Sequence, residues 1–187
     1  MGRWQPDAQG RLSRAALELF ADPGYEQTTV ADIAQRAGVT ERTFFRYFAD
    51  KREVLFAGSP HFQAGVLAGI EAAPSDASAL QAATAGVDAA ATLVQENGDP
   101  EFPRLRAAVI AANPSLQERE LLKLATVTSA ASRALQARGS SPAEADVAAQ
   151  AAMAAFHLAF VRWVTSDERL DLRELVAEKV AAFRALF

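Results

Sequence analysis

The chain has 187 residues, of which 43 are alanine and none is cysteine, and its formal net charge is −4. This length suits one domain of ordinary size or two small ones, and the lack of cysteine excludes disulfides, thiolate metal sites and a cysteine nucleophile. The apolar runs are shorter than a membrane span, and MGRWQPDAQG lacks the basic and apolar blocks of a signal peptide, so we expect a cytoplasmic protein.

The alanine content points to a helical protein. Alanine is the strongest helix former, whereas runs of valine and isoleucine of strand length are missing. Turn residues recur at intervals of roughly 10 to 25 residues, which is the spacing of helix boundaries. The pattern therefore predicts an all-α fold of about nine helices.

The first three helices have the dimensions of a helix-turn-helix unit. Residues 8–21 carry an apolar stripe at helical spacing. A second helix begins at Thr29, which precedes an acidic residue by three positions as in a capping box, and it ends at Gly38. A third short helix follows Thr40. Two short amphipathic helices joined by a glycine turn form such a unit, which we place at about residues 30–49.

The third helix has one apolar and one polar face. Helical geometry places Phe44 and Phe48 on the buried side. The opposite side carries Arg42, Thr43, Arg46 and Tyr47. Arginine can pair with guanine O6 and N7, and a threonine methyl can pack on thymine, so this face suits a DNA major groove. A solvated surface face is the alternative interpretation.

Two further donors are predicted beside helix N-termini, where anions such as phosphate are favoured. Thr29 begins the second helix, and Lys51 is predicted to begin a fourth. We expect Pro60 to break or kink that fourth helix near Ser59.

The stretch over residues 15–55, AALELFADPGYEQTTVADIAQRAGVTERTFFRYFADKREVL, resembles the DNA-binding domain of the TetR-family transcriptional repressors. The matching positions are Leu19-Phe20, Gly24-Tyr25, Thr28-Thr29-Val30, Ile33-Ala34, Ala37-Gly38-Val39, Thr43 to Phe48, and Lys51. The resemblance implies two groups of DNA contacts. Phosphates would be bound by Thr29, Tyr47 and Lys51. Bases would be faced by Thr40, Arg42, Thr43 and Arg46.

The resemblance also implies the domain organisation. Residues 1–56 would form the helix-turn-helix DNA-binding domain, and residues 57–187 a helical ligand-sensing and dimerisation domain. Two positions depart from the family pattern. Phe45 stands where tyrosine is common and lacks a hydroxyl for phosphate; it is either an exposed aromatic or a core residue. Arg42 replaces a small residue, which is expected to change the bases that are read.

The acidic net charge does not exclude DNA. Basic and acidic side chains are equal in number over residues 1–56, so the whole charge of −4 comes from residues 57–187. With so few basic residues, non-specific affinity should be weak, and tight binding should depend on dimerisation and base contacts.

Five helices are predicted in the remainder, over residues 75–96, 101–112, 115–138, 142–166 and 172–186. The helix over 142–166 carries two apolar stripes. One consists of Met153, Phe156, Phe160 and Trp163. The other consists of Val147, Ala151, Ala154, Leu158 and Val161. One stripe can pack in its own domain and the other against a partner; the central helix of a monomeric domain is the alternative.

In the TetR family the last two helices commonly form a four-helix dimer interface. The resemblance therefore implies a homodimer whose interface includes Val147, Ala151, Ala154, Leu158, Val161, Val176, Val180 and Phe183. A twofold dimer would place two recognition helices roughly 34–36 Å apart on a palindromic operator.

The family also implies a small-molecule effector that binds the second domain and lowers operator affinity. Candidate pocket residues are Arg106, Val109, Leu121, Leu124, Phe156, His157, Phe160 and Trp163. They favour a largely apolar effector. A lone histidine on an apolar helix is more often a core residue with satisfied hydrogen bonds, and this is the alternative for His157.

An enzyme is not expected. The sequence has no Gly-x-Ser-x-Gly elbow, no paired-histidine metal motif and no glycine-rich phosphate loop, and its two histidines are far apart. We predict no cofactor and no metal. The predicted function is a DNA-binding transcription regulator, a ligand-responsive repressor; the alternative is a helical regulator or interaction protein without a small-molecule effector.

Overall fold

A computed structural model describes residues 7–96 and 101–185, and over these ranges it confirms the all-α prediction. The nine α-helices of the described ranges are α1 Ala8–Leu19, α2 Val30–Arg36, α3 Glu41–Tyr47, α4 Ser59–Ala72, α5 Ala79–Glu96, α6 Glu101–Ala111, α7 Pro114–Ala137, α8 Pro142–Thr165 and α9 Leu172–Arg184. Leu186, the predicted end of the last helix, lies outside the described residues.

The helices form two compact units. Unit 1 contains the described residues up to Gly58 together with Glu101–Glu120, and unit 2 contains the rest. The first division therefore lies two residues from the predicted domain boundary at 56/57. The segment 101–120, which we expected in the second domain, packs in unit 1 because Val109, Ile110 and Leu116 are buried in the same apolar cluster as the first three helices.

The helix caps and the glycine turn of the helix-turn-helix unit form as predicted. Thr29 caps α2 in a complete capping box, and Thr40 caps α3. Gly38 lies between the two helices at φ 68°, a left-handed conformation that glycine adopts without strain. Ser13 of α1 donates its hydroxyl to the carbonyl oxygen of Val54 across 3.1 Å. Local capping thus sets the start of α2 and of α3, and the buried side chains of Ile33 and Phe44 pack these helices into the apolar core of unit 1.

The predicted start of the fourth helix at Lys51 was wrong. Lys51 lies in a turn, in which the Asp50 carboxylate accepts the backbone N–H groups of Arg52 and Glu53. A 3-10 turn follows at Glu53–Phe56, and α4 begins only at Ser59. Pro60 does not break this helix, because it lies in the first turn, where the missing N–H has no intrahelical partner to lose.

Helix α8 is central to unit 2. Nine of its residues are buried, including Met153 and Phe156, and all of them except Ala151 pack in one cluster with residues of α4, α5, α7 and α9. By length and composition alone α8 could cross a membrane, with a mean hydropathy of 1.4 over its best window. The core helix of a globular protein meets the same criteria of length and composition, and the burial of α8 against other helices is typical of such a core helix.

Candidate nucleic-acid interface

Helix α3 presents a polar face outward. Phe44 is fully buried and Phe48 nearly so, with their ring centroids 5.4 Å apart. Arg42 and Arg46 are exposed on the other side of the helix. Phe45 is 55% exposed, which settles the question that the sequence left open. The two phenylalanines therefore anchor α3 while both arginines face solvent.

Arg46 is held against Tyr47. Its Nη2 donates to the Tyr47 hydroxyl across 3.2 Å, and the guanidinium carbon lies 4.9 Å from the ring centroid. Tyr47 is 40% exposed. The pair thus presents a cation and a phenolic hydroxyl together, both able to donate to an anion or a base acceptor.

Thr40 and Thr43 form the first turn of α3. The Thr40 hydroxyl oxygen accepts the backbone N–H of Thr43 at 3.2 Å, and the two hydroxyl oxygens lie 3.1 Å apart. Thr40 is exposed and Thr43 half-buried. This cap fixes both side chains at the same end of the polar face.

Thr29 is more constrained than a free phosphate donor would be. Its hydroxyl donates to the Asp32 carboxylate across 2.6 Å and accepts the Asp32 backbone N–H. The Thr29 hydroxyl and backbone N–H hold the pKa of Asp32 below its ordinary value. A phosphate bound by this hydroxyl would replace its bond to Asp32, and the carboxylate would lie close to the phosphate.

Lys51 is fixed by the segment that precedes α2. Its Nζ donates to the carbonyl oxygens of Tyr25 at 2.8 Å and Thr28 at 3.2 Å. The same Nζ lies 4.3 Å from the centroid of the Tyr25 ring. An ammonium group has three N–H donors, so a third can reach an anion. Sequence reasoning missed the role of Tyr25; the Gly24-Tyr25 pair was the available signal.

Two other exposed arginines of unit 1 are paired with acids. Arg52 contacts Asp50 at 2.8 Å, and Arg36 contacts Glu18 at 2.9 Å. These pairs lower the charge that Arg36 and Arg52 present to a polyanion. The cations of the candidate site are therefore Arg42 and Arg46 on α3, together with Lys51.

The eight candidate pocket residues are divided between the two units. Arg106 and Val109 are part of unit 1. In unit 2, Leu121 is 66% exposed, Leu124 is half-buried and His157 is exposed. The residues that do meet form an aromatic row, with centroid distances of 4.9, 6.0 and 6.0 Å. The row consists of Phe62, Phe156, Phe160 and Trp163. Phe62, on α4, was missed because its partners lie far away in sequence.

The candidate dimer residues divide into exposed and buried sets. Exposed on α8 are Val147, Ala154, Leu158 and Val161. They lie on the face opposite the buried residues of α8. Ala151 is buried and Phe183 half-buried. Val176 and Val180 of α9 are buried in the core of unit 2, so they lack exposed surface for a partner.

No metal centre is evident in the described part of the chain. Over residues 7–96 and 101–185, no group of three or more His, Asp or Glu side chains is placed to hold a metal ion. His61 and His157 are both exposed. The chemistry of the candidate site is therefore that of hydrogen-bond donors and cations on a helix.

The segment that contains this site is similar in sequence to known proteins. Residues 12–57 match the family described as "Bacterial regulatory proteins, tetR family". The transcriptional regulator TcmR of Streptomyces glaucescens is 46% identical over 72 residues, which is 38% of this chain and 32% of TcmR. The chain thus spans about a third of the length of this curated relative. The predicted resemblance to the TetR family is confirmed over this segment.

Two solved structures share the fold over nearly the whole chain. Thermus thermophilus FadR, a TetR-family repressor in complex with lauroyl-CoA, has a TM-score of 0.57 and 18% identity, covering 94% of this chain and 93% of that one. SmeT, the repressor of a Stenotrophomonas maltophilia multidrug efflux pump, has a TM-score of 0.61 and 18% identity, covering 95% and 89%. At these identities the matches establish the fold alone.

Proposed function

We propose that this chain is a cytoplasmic transcription regulator, a repressor that binds a palindromic operator as a homodimer and is released by a small, largely apolar effector. Unit 1 supplies the DNA-binding residues, and unit 2 supplies the dimer interface and the effector site. The named relatives are regulators rather than enzymes, which supports a function without catalysis.

The observation that carries the DNA-binding function is the outward face of α3. Its two exposed arginines stand opposite a buried pair of phenylalanines, so the helix can enter a major groove without losing its own packing. Arg42 and Arg46 read base edges with Thr40 and Thr43 beside them. Lys51, Tyr47 and Thr29 bind phosphates and set the orientation of the helix.

The exposed apolar stripe of α8, Val147, Ala154, Leu158 and Val161, supports the homodimer. Three β-branched or leucine side chains more than 40% exposed on one helix face are costly in water unless a partner covers them. A second copy of α8 offers the same stripe, and a twofold interface requires such a self-complementary surface.

The aromatic row of unit 2 supports an apolar effector. Phe156 is buried, whereas Phe62 on one side of it and Phe160 and Trp163 on the other are half-buried. The Trp163 indole N–H is bonded to the carbonyl of Leu170, so the ring face remains for an apolar contact. FadR, of similar fold, binds lauroyl-CoA, which has an apolar chain.

The direct test is selection of duplexes from a random-sequence DNA pool by the purified protein, followed by binding measurements over a salt series. We expect an enriched palindrome whose affinity falls steeply with salt. Enrichment of no sequence would overturn the proposal and favour a protein-interaction module. The doubly substituted Arg42→Ala/Arg46→Ala protein should lose the enriched duplex. The matched control Arg133→Ala/Arg169→Ala removes two exposed arginines outside α3 and should keep it.

The roles of Arg42 and Lys51 can be separated. Arg42→Ala should relax base preference at one position of each half-site, whereas Lys51→Ala should weaken all sequences to a similar extent. Equal, sequence-independent losses for both variants would contradict this division.

The effector can be tested first with lauroyl-CoA. Release of the enriched duplex at micromolar concentration of lauroyl-CoA supports an acyl-chain ligand. Genomic footprinting identifies the genes next to the bound sites, and these genes direct the choice of the next ligands.

A further inference from the structure

The segment that holds Lys51 is itself rigidly braced. Tyr25 is buried, and its ring packs edge-on against Phe20 with centroids 5.0 Å apart. The Thr28 hydroxyl donates to the carbonyls of Leu19 at 3.0 Å and Gly24 at 2.7 Å. The two carbonyl oxygens that accept from Lys51 are therefore part of an ordered turn.

Lys51 meets Tyr25 in two ways at once. Its ammonium donates to the Tyr25 carbonyl at 2.8 Å and lies over the Tyr25 ring at 4.3 Å. A cation over an aromatic face is attracted by the negative face of the ring. The contact spans 26 positions of sequence, so it joins the turn after α3 to the turn before α2.

A lysine side chain normally samples many rotamers, and ordering it on binding costs entropy. A lysine whose head group is already fixed avoids that cost, and its position relative to α3 is set before DNA arrives. The half-buried state of Lys51 leaves part of the side chain open to solvent. Its charge can thus reach a phosphate from a fixed position.

We propose that Tyr25 is a positioning residue for phosphate binding: its ring and carbonyl oxygen hold the Lys51 ammonium at the site where it contacts the DNA backbone. This inference rests on the proposed DNA-binding function and deepens it. The Tyr25 ring acts through Lys51 and need not touch DNA. The Tyr25 hydroxyl, whose pKa is raised by burial and lowered by the neighbouring Ser115 side chain, is not required for this role.

The test is the salt dependence of binding to the enriched duplex and to a scrambled duplex. Lys51→Ala should lower affinity for both duplexes and reduce the salt slope by about one for each protomer. Tyr25→Leu removes the ring and keeps the backbone carbonyl, so it should also reduce the slope although the lysine is retained. Tyr25→Phe keeps the ring and the backbone carbonyl, so it should keep the wild-type slope; Ser115→Ala should do the same.

The double variant Tyr25→Leu/Lys51→Ala separates positioning from general destabilisation. If Tyr25 acts through Lys51, the double variant should bind DNA as Lys51→Ala does, with no further loss. Additive losses, or a wild-type salt slope for Tyr25→Leu, would overturn the inference. Failure to enrich any duplex overturns the proposed function as well, so the two failures are distinguishable.

A measurement on the unsubstituted protein covers the case in which Tyr25→Leu does not fold. The Lys51 Nζ lies over the Tyr25 ring, 4.3 Å from its centroid. The ε-methylene protons next to Nζ should therefore resonate upfield of those of an ordinary lysine because of the ring current. Tyr25→Phe should keep that shift. An ordinary lysine resonance in the wild-type protein would overturn the inference.

Discussion

Arg106 of α6 is bonded to the backbone of Leu55, which follows the helix-turn-helix unit by a short turn. Its Nε donates to the Leu55 carbonyl oxygen across 2.8 Å, and its Nη1 donates to the Glu120 carboxylate at 3.0 Å. The guanidinium also lies 5.1 Å from the Phe56 ring centroid. Burial lowers the pKa of Arg106, and the Glu120 carboxylate opposes that shift. Within unit 1, the segment 101–120 is thereby joined to the 3-10 turn at Glu53–Phe56.

The first prediction concerns this charge pair, whose side chains are only 19% and 29% exposed. Glu120→Ala leaves the Arg106 charge without its carboxylate, so the free energy of unfolding should fall by about 2 kcal/mol. Arg162→Ala breaks the pair with Glu178, which is half exposed on both sides, and should cost less than about 1 kcal/mol. Urea denaturation measures both; equal losses would contradict the prediction.

A second prediction concerns the close approach of α4 and α5. A Cβ added to Gly69 would lie 2.5 Å from the Ala85 carbonyl oxygen and 2.8 Å from the Gly86 Cα. Both obstacles are backbone atoms, so the helices must separate. Gly69→Ala should lower the free energy of unfolding by about 1–3 kcal/mol. Gly58→Ala, which meets nothing within 4 Å, is the control and should be neutral or slightly stabilising.

The third prediction is a pH dependence at the start of α9. Asp171 accepts an N–H of Gln95 at 3.0 Å and the backbone N–H groups of Arg173 and Glu174. The Gln95 bond, followed by those backbone bonds, lowers the pKa of Asp171. The carboxylate therefore stabilises the folded chain above its ordinary pKa of about 3.9, and this contribution is lost as pH falls through the folded value.

Asp171→Asn keeps a capping oxygen but removes the charge. Wild type should exceed this variant in free energy of unfolding at pH 7 by less than about 1 kcal/mol. The difference should shrink below pH 4 and vanish once Asp171 is protonated. Urea denaturation at pH 7, 5, 4 and 3 measures it; a constant difference would show that charge plays no part.

The fourth prediction is that the exposed ring of Phe45 contacts thymine methyl groups in the DNA. The ring packs edge-on against Phe44 with centroids 5.5 Å apart, and it follows Arg42 by three positions on α3. In a major groove the apolar groups within its reach are thymine 5-methyls. Replacing one thymine of each half-site with deoxyuridine should weaken wild type about fourfold per methyl and leave Phe45→Ala unaffected.

The control for Phe45 is another exposed apolar side chain. Leu122 on α7 is 54% exposed, close to the 55% of Phe45. Leu122→Ala should keep the wild-type response to deoxyuridine. An identical response in Phe45→Ala would show that the ring only covers Phe44.

Features that depend on local bonds were predictable from the sequence. The caps at Thr29 and Thr40 involve bonds three positions apart, so a short pattern contains both partners. The anchoring of Lys51 depends on carbonyls 26 and 23 positions away, which no local pattern indicates. The same limit applies to Val176 and Val180. Helical spacing places them on one apolar face of the last helix, but tertiary packing decides whether that face is covered by the core of the same chain or by a partner.

The last prediction is that the homodimer forms through the exposed apolar residues of α8, since Val176 and Val180 of α9 are buried in their own core. Leu158 is 58% exposed in the middle of the α8 stripe, between Ala154 and Val161. Wild type should sediment at about twice the 19.9 kDa mass of the chain at micromolar concentration. Leu158→Glu places a charge in the interface on both subunits and should give the monomer mass with unchanged helical circular dichroism.

Leu122→Glu is the matched control, since it charges a similarly exposed leucine on α7. It should remain dimeric. Because two operator half-sites are bound together only by a dimer, Leu158→Glu should also lose affinity for the enriched palindrome while retaining weak binding to a single half-site. A wild-type mass near 19.9 kDa, or a dimeric Leu158→Glu, would place the interface elsewhere or remove it.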